Sequence, residues 1–260
     1  MKTEKRNGLT AVSASRAEIR KVDIVQLNGL TMYEWYDKQP DKPAIFINAS
    51  LWDANKRPIG TIWENGKMVR DEGNGFGFGI AQNGGWTFAA PWDLKWMDYI
   101  TGYPALIQDG KSRTDKVDNY VQNSKNKRSV IATAGDRLYF ITADNMTIAQ
   151  LRKALLNFGV YHAINLDGGG SSRLMVNGRA INSPTDNRRC PNAIAVWLNS
   201  EQTTPPPSNT HWAQECLNSL VTKGIITDPS QWDDFNSPVS SLTVGQLLAL
   251  IDKASTYIQK

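Results

Sequence analysis

Apolar positions in this chain fall mostly in short runs and alternating pieces separated by turn residues, the pattern of a sheet-rich core. After the Pro40–Pro43 break, Ala44 to Trp52 is a near-continuous apolar run that predicts a buried strand reaching a polar end at Asn48. Thr61-Ile62-Trp63 and Met68-Val69 flank a Glu64-Asn65-Gly66-Lys67 turn and predict a hairpin. Gly73 to Ile80 alternates glycine with bulk, which suits a strand approached closely by a neighbour. Gly102 to Gln108 predicts a strand ending in an Asp109-Gly110 turn, and Arg128 to Thr142 a hairpin turning at Gly135-Asp136. Between them, Ser112 to Lys127 is charged and aperiodic and predicts a surface loop.

Within this sheet-rich region only one stretch has clear helical period. Ile148, Leu151, Leu155 and Phe158 share a face over Ile148 to Phe158, with Asn145-Met146-Thr147 leading in and Gly159 placed to end the helix. A strand ending at Asp167 follows, then Leu174-Met175-Val176, an Asn177-Gly178 turn and Arg179-Ala180-Ile181. The last strand of the core is Ala193 to Leu198. Residues 1–27 read as a polar lead in which Ile19, Val22, Ile24, Val25 and Leu27 hint at a strand. The expected fold is therefore α+β: a mixed, largely antiparallel sheet with packed helices.

Thr203-Thr204-Pro205-Pro206-Pro207-Ser208 can continue neither helix nor strand, which predicts a core over 1–199, a Pro-rich linker over 200–209 and a separate module over 210–260. That module shows two helical patterns, Trp212 to Lys223 and Thr243 to Ile258. A unit of about 50 residues is marginal alone and would pack on a partner or on copies of itself.

Composition narrows the functional classes. At 260 residues and 40% hydrophobic, the chain can bury a sizeable core. A net charge of +4 without a Lys/Arg block argues against a nucleic-acid polymer as partner. Cys190 and Cys216 are the two cysteines, with no metal spacing and no disulfide framework, so no metal ligand set is expected, although an anionic substrate would tolerate a divalent cation. Met1 to Asn7 is polar and leads into no apolar h-region, and no run approaches a membrane span. The chain as written predicts no signal peptide, no membrane insertion, and residence in a host cytoplasm or, if phage-encoded, at the wall or virion.

The candidate chemistry centres on Asp167-Gly168-Gly169-Gly170-Ser171-Ser172. Three glycines between two strands are tolerated where backbone must reach positive φ or let a ligand come close. Free N–H groups in such a bend can form an anion nest, and the two serines add donors. A Gly-Lys-Ser/Thr phosphate loop and Rossmann spacing are both absent. Asp167 ends its strand at a crevice; the plainer alternative is a hairpin whose Asp caps its own loop. Asn48 either faces the same crevice or bonds its own backbone. Arg128, alone, reads equally as a solvated strand end. Most of Trp86, Phe88, Trp92 and Trp96 are assigned to the core, and at most one or two of them to a stacking wall.

Taken together these residues resemble the phosphodiester glycosidase family over about Ile45 to Leu198, most strongly over Thr147 to Ala193. The resemblance rests on the helix, Asn165 to Ser172, Val176 to Arg179, Asn182 to Asp186, and Arg189 with Asn192; Asn48-Ala49, Gly102, Pro104, Asp109-Gly110 and Arg128 to Ile131 match more loosely. Two departures stand out: Leu51-Trp52 occupies the place of an aromatic pair, and Arg173 that of a small residue. The 210–260 segment is similar, at His211-Trp212-Ala213, Gly224 to Ile226 and Trp232, to helical modules related to S-layer homology repeats.

The resemblance implies hydrolysis of a sugar-1-phosphodiester. Asp167 would act as base or nucleophile, with Asn48 or Asp109 orienting water or sugar hydroxyls. Gly168, Gly169, Gly170, Ser171, Ser172, Arg128, Arg189 and Asn192 would bind substrate and phosphate. Two rival readings remain open. One is a non-catalytic binder of a phosphorylated wall glycopolymer, with the 210–260 module as second anchor or homo-oligomer contact. The other is an enzyme or sponge for a soluble nucleotide-sugar signal.

Overall fold

The computed structural model describes residues 1–199 apart from 74, 116–117 and 183–185. The chain divides into two units, Met1–Ser200 and Glu201–Lys260. The expected linker and the helical module of 210–260 lie outside the described residues.

The described chain runs β1 (Lys2–Arg6), β2 (Leu9–Ser15), β3 (Ile19–Gln26), α1 (Met32–Lys38), β4 (Ile45–Asn48), β5 (Ile62–Glu64) and β6 (Lys67–Arg70). It continues through β7 (Gly77–Ala81), β8 (Trp86–Ala89), β9 (Trp96–Thr101), β10 (Ala105–Gln108), β11 (Lys111–Ser112), α2 (Asn119–Asn123) and β12 (Asn126–Ala134). The remaining elements are β13 (Arg137–Met146), α3 (Ile148–Phe158), β14 (His162–Asn165), β15 (Leu174–Val176), β16 (Arg179–Ala180) and β17 (Asn192–Leu198), with a 3-10 turn at Gly169–Ser171.

Three sheets result: β1-β2-β13-β12-β14-β10-β11, β16-β15-β4-β17-β3, and β6-β5-β9-β7-β8. Every strand pair among the described residues is antiparallel, so the mixed component of the expected sheet is not there. The fold is β-rich within the α+β class. One large core gathers inward residues of all three sheets, among them Phe140, Ile164, Ile47, Ile194, Phe78 and Ile100. Two smaller cores form where a helix covers an outer face. Helix α3 lays Ile148, Leu151 and Leu155 on Val130, Ile141 and Ala163, and α1 lays Met32 and Tyr36 against Phe46 and Trp197. Burying each such aliphatic side chain contributes about 1.5–3 kcal/mol.

Helix α3 spans the residues its period predicts. Thr147 and Gln150 form a reciprocal capping box, and Gly159 closes the helix at φ 92°. Helix α1 carries the same signature, Thr31 with Glu34, on a stretch whose apolar period is too short to announce it. The hairpin turns follow their dipeptides: Asn65-Gly66, Asp109-Gly110 and Asn177-Gly178 all have positive φ at both positions, as the favoured two-residue turns require.

Two expectations are corrected. The polar lead is a hairpin, β1 and β2 around Asn7-Gly8, and every residue of β1 is exposed. A wholly exposed edge strand has no apolar face to alternate, which is why its pattern reads as a polar tail. The Ser112–Lys127 loop contains α2, N-capped by Asp118. Of the aromatic cluster, Trp86, Phe88 and Trp96 fill the core, in line with the expectation for most of it, and Trp92 is exposed. Among the described residues no helix is long and apolar enough to cross a membrane.

The Asn177-Gly178 turn also joins sheet to helix. A Cβ on Gly178 would lie 2.7 Å from the Tyr36 ring, and its φ of +79° is costly for any L side chain. Gly178→Ala should therefore lose at least about 1 kcal/mol, read as a lowered urea midpoint with unchanged slope; an unshifted midpoint would show that the turn and Tyr36 relax freely.

Candidate active site

Five strand ends meet at one place. Strand β14 delivers Asp167 just beyond its C-terminus, β4 ends at Asn48, β17 begins at Asn192, β15 begins just after Arg173, and β12 contributes Ser129 near its start. The chain passes from one sheet to another here, and its backbone is tied on both sides. The Leu166 amide donates to the Ser129 carbonyl and the Asp167 amide to the Ala49 carbonyl, each at 2.8 Å.

Asn48 is the node of this junction. It is fully buried, and its side-chain amide donates to the Asp167 carbonyl at 2.6 Å. Its oxygen accepts from the Ser129 hydroxyl at 2.8 Å and the Arg173 amide at 2.9 Å. Because the Ser129 proton goes to Asn48, Ser172 must donate in the 2.7 Å Ser129–Ser172 contact. Asn192 has the equivalent role on the adjacent strand: it accepts from the Ser50 amide and donates to the Ser50 hydroxyl. These side chains are spent on holding the loops in place, and the structure leaves neither Asn48 oxygen lone pair facing solvent.

The Asp167 carboxylate is half-buried at the mouth of the bend. The Trp52 indole N–H donates to it at 2.9 Å. Burial pushes its pKa above the usual carboxylate value, while the Ser171 hydroxyl, Trp52, the Gly168 amide and the Arg188 guanidinium favour the ionised form. Cys190, buried beside it, is pushed up to about 11 by burial and by the Asp167 charge. Its thiol is protonated at neutral pH and is no nucleophile.

Each glycine of the bend has its own reason. A Cβ on Gly168 would meet the Lys127 carbonyl at 2.5 Å, Gly169 sits at φ +58°, and a Cβ on Gly170 would collide with the Asp186–Arg188 pair. The Ser171 and Ser172 amides close the 3-10 turn onto Gly168 and Gly169. Among the described residues nothing accepts from the Gly169 and Gly170 amides. Ser171 is 4% exposed, and its buried hydroxyl lies within range of the Asp167 carboxylate and the Cys190 thiol. It nevertheless makes no hydrogen bond of ordinary geometry. Two consecutive amides in the bend after Asp167, without acceptors among the described residues, form a donor pair open to an anionic group.

The arginines are sorted differently from the sequence expectation. Arg128 is buried; its guanidinium donates to the carbonyls of Met146, Val121 and Ser124 at 3.0, 2.9 and 2.7 Å, tying β12 to α2. Arg189 reaches the Gly29 carbonyl and Glu34 at the start of α1. Arg188, which sequence reasoning missed, lies against Gly170 of the bend, holds Asp186 at 2.8 Å, and its charge favours the ionised form of Asp167. No local pattern marks it, because residues 186–191 run outside any strand and have no period from which a side could be read. Arg173 is buried, donates to Asn187 and the Asp186 carbonyl, and stacks on Tyr33. It braces the loop that carries Arg188.

Asp109 is not brought to the site. It lies in the β10–β11 turn beside His162, at the start of β14, whereas Asp167 follows the end. At about 3.3 Å per residue the two are on the order of 15 Å apart. Among the described residues there is no group of three or more His, Cys, Asp or Glu placed to hold a metal ion.

A sequence model of the phosphodiester glycosidase family matches residues 41–197, which takes in every strand end of the junction. The chain belongs to that family. It is similar in structure to the catalytic domain of zebrafish N-acetylglucosamine-1-phosphodiester alpha-N-acetylglucosaminidase, solved auto-inhibited by its pro-peptide. That match has 18% identity, covers 73% of this chain and 83% of that one, and has a TM-score of 0.59. A hypothetical protein from Synechocystis matches with TM-score 0.61 at 14% identity, over 76% of this chain and 61% of that one. At such identities the likeness shows a shared fold. No curated protein matches by sequence. The family match ends before the 210–260 segment, so nothing in it bears on the S-layer-like resemblance.

Asn48→Ala would leave the Asp167 carbonyl, the Ser129 hydroxyl and the Arg173 amide without their buried partner. Each such group costs about 1–3 kcal/mol, so the variant should lose at least about 2 kcal/mol in urea unfolding. A loss under about 0.5 kcal/mol would mean that water enters and the junction is not the anchor described.

Proposed function

We propose that this phosphodiester glycosidase hydrolyses the bond between a sugar's anomeric carbon and the oxygen of a phosphodiester. The observation that carries the reading is the pairing of one desolvated carboxylate, Asp167, with two consecutive backbone amides, Gly169 and Gly170, that donate to no described residue, beside the Arg188 cation. The donors and cation suit a phosphoryl oxygen, and the carboxylate suits the sugar carbon.

In the reaction the C1–O bond breaks and its electron pair leaves on the phosphate oxygen. That group departs as a phosphate monoester with second pKa near ~6, so it needs little protonation. A general acid of the kind required for an alcohol leaving group is therefore dispensable. Positive charge develops at the anomeric carbon, and negative charge moves onto the phosphoryl oxygens. Fixed amides and Arg188 meet that negative charge without reorganising. Asp167 either takes the proton of the attacking water or attacks C1 itself. Arg128 and Arg189, whose guanidiniums are committed elsewhere, have no role in this reading, and neither has Asp109; Asn48, Ser172 and Asn192 serve by position.

Asp167→Asn keeps the shape and removes the charge. With a sugar-1-phosphodiester such as UDP-N-acetylglucosamine or a methyl phosphodiester, its turnover should fall by about a hundredfold to ten-thousandfold, measured as reducing sugar released. Near-normal turnover in the variant would remove Asp167 from the chemistry, and retention of substrate without release by the unaltered protein would make it a binder.

Arg188→Ala separates the phosphate role. A charge-assisted hydrogen bond contributes about 1.5–3 kcal/mol, so kcat/KM on the phosphodiester should drop about 10- to 100-fold while an uncharged aryl glycoside is little affected. Equal losses on both substrates would assign Arg188 to loop structure alone.

A further inference from the structure

Among the described residues, the indole nitrogen of Trp52 is the one group of the 49–58 segment that reaches the Asp167 carboxylate, at 2.9 Å. The turn that presents it is built to stay put. Trp52 pairs with Pro58 across a β-bridge, the Ile59 amide donates to the Leu51 carbonyl at 2.7 Å, and Ser50 is locked by Asn192. Inside the turn, Asp53 accepts from the Asn55 and Arg57 amides and pairs with the Arg57 guanidinium. Lys56 takes a left-handed conformation, φ 63°, and its ammonium sits 3.6 Å from the centre of the Trp52 ring.

We propose that Trp52 is a positioning residue: its N–H fixes one oxygen of Asp167 and keeps the carboxylate ionised in a desolvated site, with Lys56 on the indole face strengthening that donor. The choice of group follows from the substrate. A lysine or arginine hydrogen-bonded to Asp167 would hold it ionised too, but it would compete for the phosphoryl oxygens and offset the base's charge. A neutral N–H orients the carboxylate and stabilises its charge while adding none of its own. Lys56 contributes from behind the ring, by attraction to the π face, without entering the coordination of the carboxylate.

The groups facing Asp167 from each packed segment are few. Its own loop supplies the Ser171 hydroxyl and the Gly168 amide, the segment before β17 supplies Arg188 and the neutral Cys190 thiol, and the 49–58 segment supplies Trp52 with Lys56 beyond it. Removing the indole N–H leaves burial less opposed, so the carboxyl pKa rises. A base that must be ionised then loses activity at higher pH than before.

The kinetic arm of the test rests on the hydrolytic reading above; a carboxyl titration does not. Trp52→Phe, and Trp52 replaced by the isosteric benzothienylalanine, which lacks only the N–H, are compared with the unaltered protein. The acid limb of kcat/KM against pH should move up by about half a unit to one unit in both, and Lys56→Gln should move it the same way by less. The Asp167 carboxyl carbon, followed by NMR in the ligand-free protein and assigned by its loss in Asp167→Asn, should titrate higher by the same amount. A carboxyl titration and pH limb unmoved by the isostere overturn the proposal, whatever happens to kcat, because a ring that merely packs would leave both in place. If the unaltered protein hydrolyses no phosphodiester, the hydrolytic reading fails and the carboxyl titration alone decides the role of Trp52.

Discussion

The structure depends on how a buried amide side chain, Asn48, joins two sheets that would otherwise separate where the chain crosses between them. A crossing strand must break its ladder, which leaves carbonyls and amides at the break without partners. Asn48 has both kinds of group on one planar side chain. It donates to the carbonyl of Asp167 on one side and accepts from Arg173 and Ser129 on the other. No apolar residue could do this, and a carboxylate would lack the donor. The cost of burying the amide is offset because its oxygen is doubly bonded and its nitrogen makes a short contact. Its consequence is geometric: with the backbone on both sides of the bend held, the Asp167 side chain and the glycines between them have little freedom to choose another arrangement.

Held in that way, the bend can be left unsatisfied at its tip. The Gly169 and Gly170 amides lack acceptors among the described residues, an expense the surrounding network can carry because it is itself complete. Two of the three glycines are required by this arrangement: a side chain at the first would strike the Lys127 carbonyl, and the second takes a left-handed backbone. The third lets Asp186 and Arg188 pack directly on the bend, which sets a cation beside it.

How far this was legible in the sequence depends on the range of the interaction. Helix α3 could be read because its period, its Thr147 cap and its Gly159 stop are all local, and Asp109-Gly110 and Asn177-Gly178 announced their turns for the same reason. The Gly168–Gly170 bend and the polar end of β4 at Asn48 were visible as places where apolar pattern gives way to small and polar residues. What Asn48 does was not visible, because its partners lie 81 to 125 residues away in sequence. The fully exposed strand β1 and the short helix α1 escaped for a different reason: neither has an apolar face long enough to produce a period.

The arginines show the same limit more sharply. Arg128 opens a strand in the family's order and Arg189 sits beside a matching Asn, yet neither position in the chain says where a side chain of that length ends. In the fold Arg128 spends its donors on three main-chain carbonyls, which offsets the burial of an uncompensated charge. Arg189 runs back to α1. Arg188, the next residue back, lies instead against Gly170 and pairs with Asp186. Where each guanidinium ends is thus determined by which carbonyls and carboxylates compete for it. The competition is a property of the packed structure: Arg188 is available to a ligand because Arg173 takes up the main chain of the same loop and Asp186 holds it only at the surface.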